Sequence, residues 1–135
     1  MVQLYNPNVV GKQVLIDVKN INSDKLKFVD DIKPFMNDVV KELDLNVVGQ
    51  CSQQFEPHGA TMVYLLSESH LSIHTFVDEG KVTIDLFSCD MAVDFGKLKK
   101  NICYHFEVNS LNIDMTYFTR GSWKKRLYYY LLIII

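Results

Sequence analysis

The sequence predicts an α+β protein in which helices cover one face of an antiparallel sheet. Three observations lead there. Most apolar segments alternate with period two, as half-buried strands do. Only two segments carry helical spacing. A turn signal, Asp78-Glu79-Gly80-Lys81, links two of the strands as a hairpin.

The elements follow in chain order. Residues 14–18 read as a strand, with Val14, Ile16 and Val18 alternating against Leu15 and Asp17. Asn22, Ser23 and Asp24 supply N-cap candidates for a helix. Leu26, Val29, Ile32, Met36, Val39, Val40 and Leu43 then keep helical spacing. Pro34 inside that run predicts a kink or a separate first turn. Residues 47–55 and 61–66 read as strands. Residues 69–76 and 82–87 form the hairpin pair. Residues 93–106 predict a second helix, weakened by Gly96. Residues 111–118 read as a late strand. Hairpin-linked strands make the sheet antiparallel, and helices on one face leave the other needing cover, most simply by a second copy.

The chain has 135 residues, which suits one domain with one core. A net charge of −2 argues against nucleic-acid binding. The three cysteines, Cys51, Cys89 and Cys103, have no zinc or disulfide spacing, so no metal is expected. Free thiols fit a reducing, cytoplasmic setting. The apolar tail, residues 127–135, is shorter than the ~20 residues of a spanning helix. A buried strand or subunit contact, without membrane association, is the expectation there.

Chemistry concentrates in residues 67–75, Ser-Glu-Ser-His-Leu-Ser-Ile-His-Thr. From composition alone this is a polar strand face. Strand parity adds a constraint: His70, Ser72 and His74 share one face, and Ser67 and Ser69 the other. If Ser69 and His74 cooperate, the strand bends between them or the histidine comes from a second subunit.

The segment resembles the processing site of the small prokaryotic-type S-adenosylmethionine decarboxylases. Their core reads Ser-Glu-Ser-His-x-Ser/Thr-Ile-His-Thr, matched here at Ser67-Glu68-Ser69-His70-Leu71-Ser72-Ile73-His74-Thr75. Phe55-Glu56-Pro57-His58-Gly59 matches an upstream turn, and Asp85 and Cys89 match a downstream aspartate and cysteine. The likeness runs without a gap over residues 55–89.

The resemblance implies a proenzyme that cuts itself between Glu68 and Ser69, giving a beta chain, 1–68, and an alpha chain, 69–135. The Ser69 hydroxyl would attack the Glu68 carbonyl, turning the amide into an ester. Removal of the Ser69 α-proton then eliminates the upstream chain, and hydrolysis leaves a pyruvoyl cofactor. His74 matches the histidine that removes the proton, near neutral pH a suitable base. Thr61 stands where a hydroxyl residue assists processing. Cys89 matches the proton donor of decarboxylation, which follows Schiff-base formation at the pyruvoyl carbonyl. Cys51 and Cys103 match nothing and are expected to be small buried residues. Phe55 matches an adenine-stacking aromatic. Glu68 also falls in the implied substrate site. Asp78 falls where the family has a ribose-binding glutamate, although Glu79 follows at once and either could reach the sugar. Phe76-Val77 replaces a frequent Trp-Pro.

The family fold is an α/β sandwich whose two-layer protomer dimerises into four αββα layers. Phe55, Thr61, His74 and Asp78 of one subunit then face Ser69 and Cys89 of the other. The implied reaction converts S-adenosylmethionine to an aminopropyl donor for spermidine and other polyamines. Three alternatives stand beside it: decarboxylation of a basic amino acid such as arginine, a non-catalytic activating subunit, and a plain interaction domain with an apolar C-terminal strand.

Replacing Ser69 by Ala should leave one intact chain. The parent should give two fragments by mass spectrometry, the second starting at residue 69 and lighter by one ammonia than its sequence.

Overall fold

A computed structural model describes residues 9–121. They form a six-stranded antiparallel sheet in the order β2-β3-β4-β5-β1-β6, with two α-helices against one face. The strands are β1 Val9–Val18, β2 Val47–Gln54, β3 Ala60–Leu66, β4 Ser69–Phe76, β5 Lys81–Ser88 and β6 Ile113–Gly121. The helices are α1 Val29–Glu42 and α2 Phe95–Phe106.

Strand alternation divides the sheet cleanly. Met62, Tyr64, Leu71, Ile73, Ile84, Leu86, Val14 and Ile16 all point at the helices and are buried. Ile32, Phe35, Met36 and Val39 of α1 and Leu98, Ile102 and Phe106 of α2 complete that core. The Phe35 and Phe106 rings meet with centroids 5.0 Å apart. Tyr64 reaches the helix layer with its hydroxyl, which donates to Asn37. Burial pushes the Tyr64 phenol pKa up.

The opposite face carries Thr61, Val63 and Leu65 of β3, His70, Ser72 and His74 of β4, Thr83, Asp85 and Phe87 of β5, and Gln13 and Leu15 of β1. Leu15, Leu65, Phe76 and Phe118 stand exposed. No helix of the described residues is long and apolar enough to cross a membrane. The apolar tail, residues 127–135, lies outside the described residues.

Several boundaries differ from the expectation. Asn22 does cap a helix, accepting from the Asp24 N–H, but that helix is a short 3₁₀ turn at Ser23–Lys25. The longer helix starts at Val29, where the Asp31 carboxylate accepts from the Phe28 N–H at 2.9 Å and Gln54 Oε1 from the Val29 N–H at 2.8 Å. Pro34 therefore lies early in α1, and the helix runs through it unbroken. The second helix begins at Phe95 rather than 93, because the Asp94 side chain caps the Gly96 N–H. β1 starts at Val9 rather than 14 and β6 runs on to Gly121 rather than 118, the two extensions pairing with each other, whereas residues 111–112 belong to a 3₁₀ turn at Ser110–Asn112 and not to the strand.

The β4–β5 turn needs Gly80. Its φ is +60°, and an added Cβ would sit 2.7 Å from the Ile21 carbonyl oxygen.

Phe35 is fully buried between the helices and the sheet. Phe35→Ala should cost about 3–5 kcal/mol, read from denaturant midpoints at fixed protein concentration.

Candidate functional site

The turn between β3 and β4 is only Ser67-Glu68, since Leu66 pairs directly with Ser69. Both ends of that turn are tied down. The Ser67 N–H donates to the Asn46 carbonyl at 2.9 Å, and the Cys89 N–H donates to the Glu68 carbonyl at 2.9 Å. Cys89 reaches that carbonyl because Ser69 pairs with Ser88 across β4 and β5. The Ser88 hydroxyl accepts from the Asp90 N–H at 3.0 Å and bends the chain just past Cys89. A backbone donor thus rests on the one carbonyl that Ser69 would attack. A donor there favours negative charge on the oxygen.

Ser69 itself has φ of +148°, a region that glycine alone enters without strain. Its hydroxyl lies 3.4 Å from His70 Nδ1. The ring continues a chain of contacts over the open face. His70 Nε2 is 3.2 Å from Asp85 Oδ2, Gln13 Nε2 donates to Asp85 Oδ1 at 3.0 Å, and Arg120 donates to Gln13 Oε1 at 2.9 Å. The Phe87 ring packs beside His70 and under the Arg120 guanidinium. Gly11 is what lets Phe87 lie there, since a Cβ at 11 would fall 2.6 Å from its ring.

The sequence motif had singled out His74 and assigned His70 no role. The available signal was parity: His70, Asp85 and Gln13 share a face once β4, β5 and β1 are known to be neighbours.

A second group gathers at the other end of β4. Thr61 pairs with His74, and Thr61 Oγ1 lies 2.9 Å from His74 Nδ1. Phe55, half exposed, sits in the β2–β3 loop, closed by its N–H donating to the Gly59 carbonyl at 2.8 Å. The Thr75 hydroxyl accepts from the Ala60 N–H at 2.9 Å and fastens that loop to β4. Asp78 stands exposed in the β4–β5 turn, 3.5 Å from His58. Glu79, with Phe76, Lys81 and Thr83, lines a neighbouring cavity of about 690 Å³.

The expected site residues therefore fall into two groups within one chain. Glu68, Ser69 and Cys89 lie at one end of the sheet, and Phe55, Thr61, His74 and Asp78 at the other. His74 lies five steps along the strand from Ser69, roughly 17 Å at ~3.4 Å per residue. Cys51 departs from its expected burial: it is exposed, because β2 is an edge strand and Cys51 pairs with Val63 on the open face. Cys103 is half-buried on α2.

Comparison with known proteins gives a consistent likeness. Residues 12–121 match the family described as S-adenosylmethionine decarboxylase. The S-adenosylmethionine decarboxylase proenzyme of Aquifex aeolicus (strain VF5) is 35% identical over 113 residues, 83% of this chain and 82% of that one. The proenzyme of Sulfurihydrogenibium sp. (strain YO3AOP1) is 39% identical over 80 residues, 59% of this chain and 60% of that one. The crystal structure of the adenosylmethionine decarboxylase from Aquifex aeolicus VF5 is similar with a TM-score of 0.75 and 32% identity, covering 84% of this chain and 92% of that chain.

The strain at residue 69 can be weighed directly. Ser69→Gly and Ser69→Ala both lack the hydroxyl, but only glycine accepts φ of +148°. The glycine variant should be the more stable by about 1–3 kcal/mol in denaturant unfolding.

Proposed function

The chain belongs to the S-adenosylmethionine decarboxylase family, and we propose that it cuts itself between Glu68 and Ser69 and then decarboxylates S-adenosylmethionine. The observation that carries this reading is the 2.9 Å hydrogen bond from the Cys89 N–H to the Glu68 carbonyl, beside a strained Ser69.

Self-cleavage follows from those groups. The Ser69 oxygen attacks the Glu68 carbonyl carbon while the Cys89 N–H stabilises the oxygen that gains charge. The carbon–nitrogen bond breaks, leaving an ester and a free amine. Strain at Ser69 is relieved as the turn opens, which favours the ester. A histidine then removes the Ser69 α-proton, the upstream chain leaves as the backbone carboxylate of residue 68, and the dehydroalanine so formed takes up water and loses ammonia to become the pyruvoyl group. That group supplies a carbonyl that condenses with the substrate amine and takes up the electrons released with carbon dioxide. Its surroundings suit it: Cys89 is exposed and its N–H bonds the carbonyl just before residue 69, so its thiol is the group to return a proton to the substrate.

His74 of the same chain is roughly 17 Å away along β4 and cannot serve as that base. A second copy solves this. Two open faces paired about a two-fold axis bring the Ser69 end of one subunit over the His74 end of the other, and build two equal sites. The same pairing covers Leu15, Leu65 and Phe118, which one protomer leaves exposed. In that site Thr61 Oγ1, 2.9 Å from His74 Nδ1, would accept from the Nδ1–H tautomer and leave Nε2 its lone pair as base. Phe55 stacks on the adenine, its π face also attracting the sulfonium. Asp78 holds the ribose hydroxyls, and Glu68 lies beside the substrate.

Co-production of two inactive variants tests the shared site. His74→Ala alone should stall as an ester that hydroxylamine releases, and Ser69→Ala alone should stay whole. Produced together, the His74→Ala chain should be cut, because the Ser69→Ala partner supplies His74. No cutting in the mixture would sink the two-subunit site.

Cys89→Ser keeps the backbone N–H but loses the thiol. Its cleavage should proceed while turnover of S-adenosylmethionine falls by about 10²–10⁴. Turnover equal to the parent's would remove the thiol from the reaction.

A further inference from the structure

Self-cleavage needs two separate proton transfers, and His74 accounts for one. We propose that His70, braced by Asp85, takes the Ser69 hydroxyl proton in the first step, the conversion of amide to ester. The proposal rests on the self-cleaving reading above and adds a second base to it.

Four observations converge on His70. Among the described residues, it is the side chain that meets the Ser69 hydroxyl, with Nδ1 at 3.4 Å. That distance is long for a hydrogen bond, as such contacts often are before the reacting groups close. Its far nitrogen, Nε2, lies 3.2 Å from the Asp85 carboxylate. A carboxylate only accepts, so Nε2 carries the hydrogen and Nδ1 presents a lone pair to Ser69. Gln13 occupies the other Asp85 oxygen and Arg120 holds Gln13, so the carboxylate is fixed from behind. The Phe87 ring, 6.0 Å away between centroids, supports the imidazole from the side.

Serine, histidine and carboxylate in this order form the arrangement that activates a hydroxyl elsewhere. Here the electrophile is the serine's own upstream carbonyl. The strained φ of +148° has a place in this account. By register Ser69 shares the helix-facing side with Leu71 and Ile73, whereas His70 faces the open side. The unusual backbone angle lets adjacent side chains meet, where a regular strand would send them apart.

The proton balance closes within the chain. The Ser69 oxygen forms its bond to the Glu68 carbon as its proton moves to His70 Nδ1. The carbon–nitrogen bond then breaks, and the proton passes from His70 to the departing Ser69 nitrogen. No co-reactant enters. Asp85 acts through His70 and is a positioning residue.

The test follows ester formation rather than final activity. In the His74→Ala background the ester accumulates and hydroxylamine releases it, so the first step can be timed alone. Adding His70→Ala should slow that accumulation by about 10²–10⁴, and added imidazole should restore part of the rate. Asp85→Asn, which conserves side-chain volume, should slow the same step and gain nothing from imidazole. A purely structural role for His70 would give no imidazole rescue. Ester accumulation in the His70→Ala, His74→Ala protein at the rate of His74→Ala alone would overturn the proposal. If the parent chain stays whole and His74→Ala yields no ester, the self-cleaving reading itself fails, a result distinct from the loss of His70 alone.

Discussion

A two-residue turn leaves a strand pair no freedom of register, and Ser67-Glu68 is such a turn. With Leu66 opposite Ser69, every later pair in β3 and β4 follows. Leu71 and Ile73 fall against the helices, and His70, Ser72 and His74 fall on the open side. A slip of one residue would put both histidines into the core and two large apolar chains into water. The bond assigned to cleavage therefore sits at the point that sets the alignment of the sheet. The same register runs on through β5, where Ser88 opposite Ser69 delivers the next residue, Cys89, to the Glu68 carbonyl.

The division of the site between two ends of β4 follows from that geometry. One strand can bring its own neighbours together only where the backbone is distorted, as at Ser69. Residues five apart on a regular strand stay far apart and face opposite ways. The site proposed to hold both Ser69 and His74 would therefore take them from different chains. The proposed pairing of open faces would also cover the leucines and phenylalanines that stand exposed among the described residues.

Much of this was legible in the sequence. The bounds of β4, 69–76, match the observed strand and those of β3, 61–66, miss only Ala60, because alternation and the intervening Ser-Glu are local signals. The parity conflict between Ser69 and His74 was visible from counting alone. Other features were not local. Asn22 caps a short 3₁₀ turn and not the long helix, because three candidate cap residues cannot say whether a 3₁₀ turn or an α-helix follows. The early part of β1 holds Gly11-Lys12-Gln13, which does not alternate, and it becomes strand through pairing with β5 on one side and β6 on the other. The chain from His70 through Asp85 and Gln13 to Arg120 draws on four strands. Its members are scattered over the sequence, and nothing local announces that β1 lies between β5 and β6.

That strand order has a consequence for the severed protein. A break after Glu68 would leave β1, α1, β2 and β3 in one piece, and β4, β5, α2 and β6 in the other. The pieces would not lie side by side, because β1 of the first is inserted between β5 and β6 of the second. They are interlocked, and parting them would mean tearing three ladders at once. Reunion after such a loss would be a bimolecular encounter, without the tether that first held the halves at high mutual concentration. The contacts proposed to make the cut exist only once the sheet is assembled. Maturation would then work as a ratchet: a molecule must fold to be cut, and a cut molecule has given up its easiest way back.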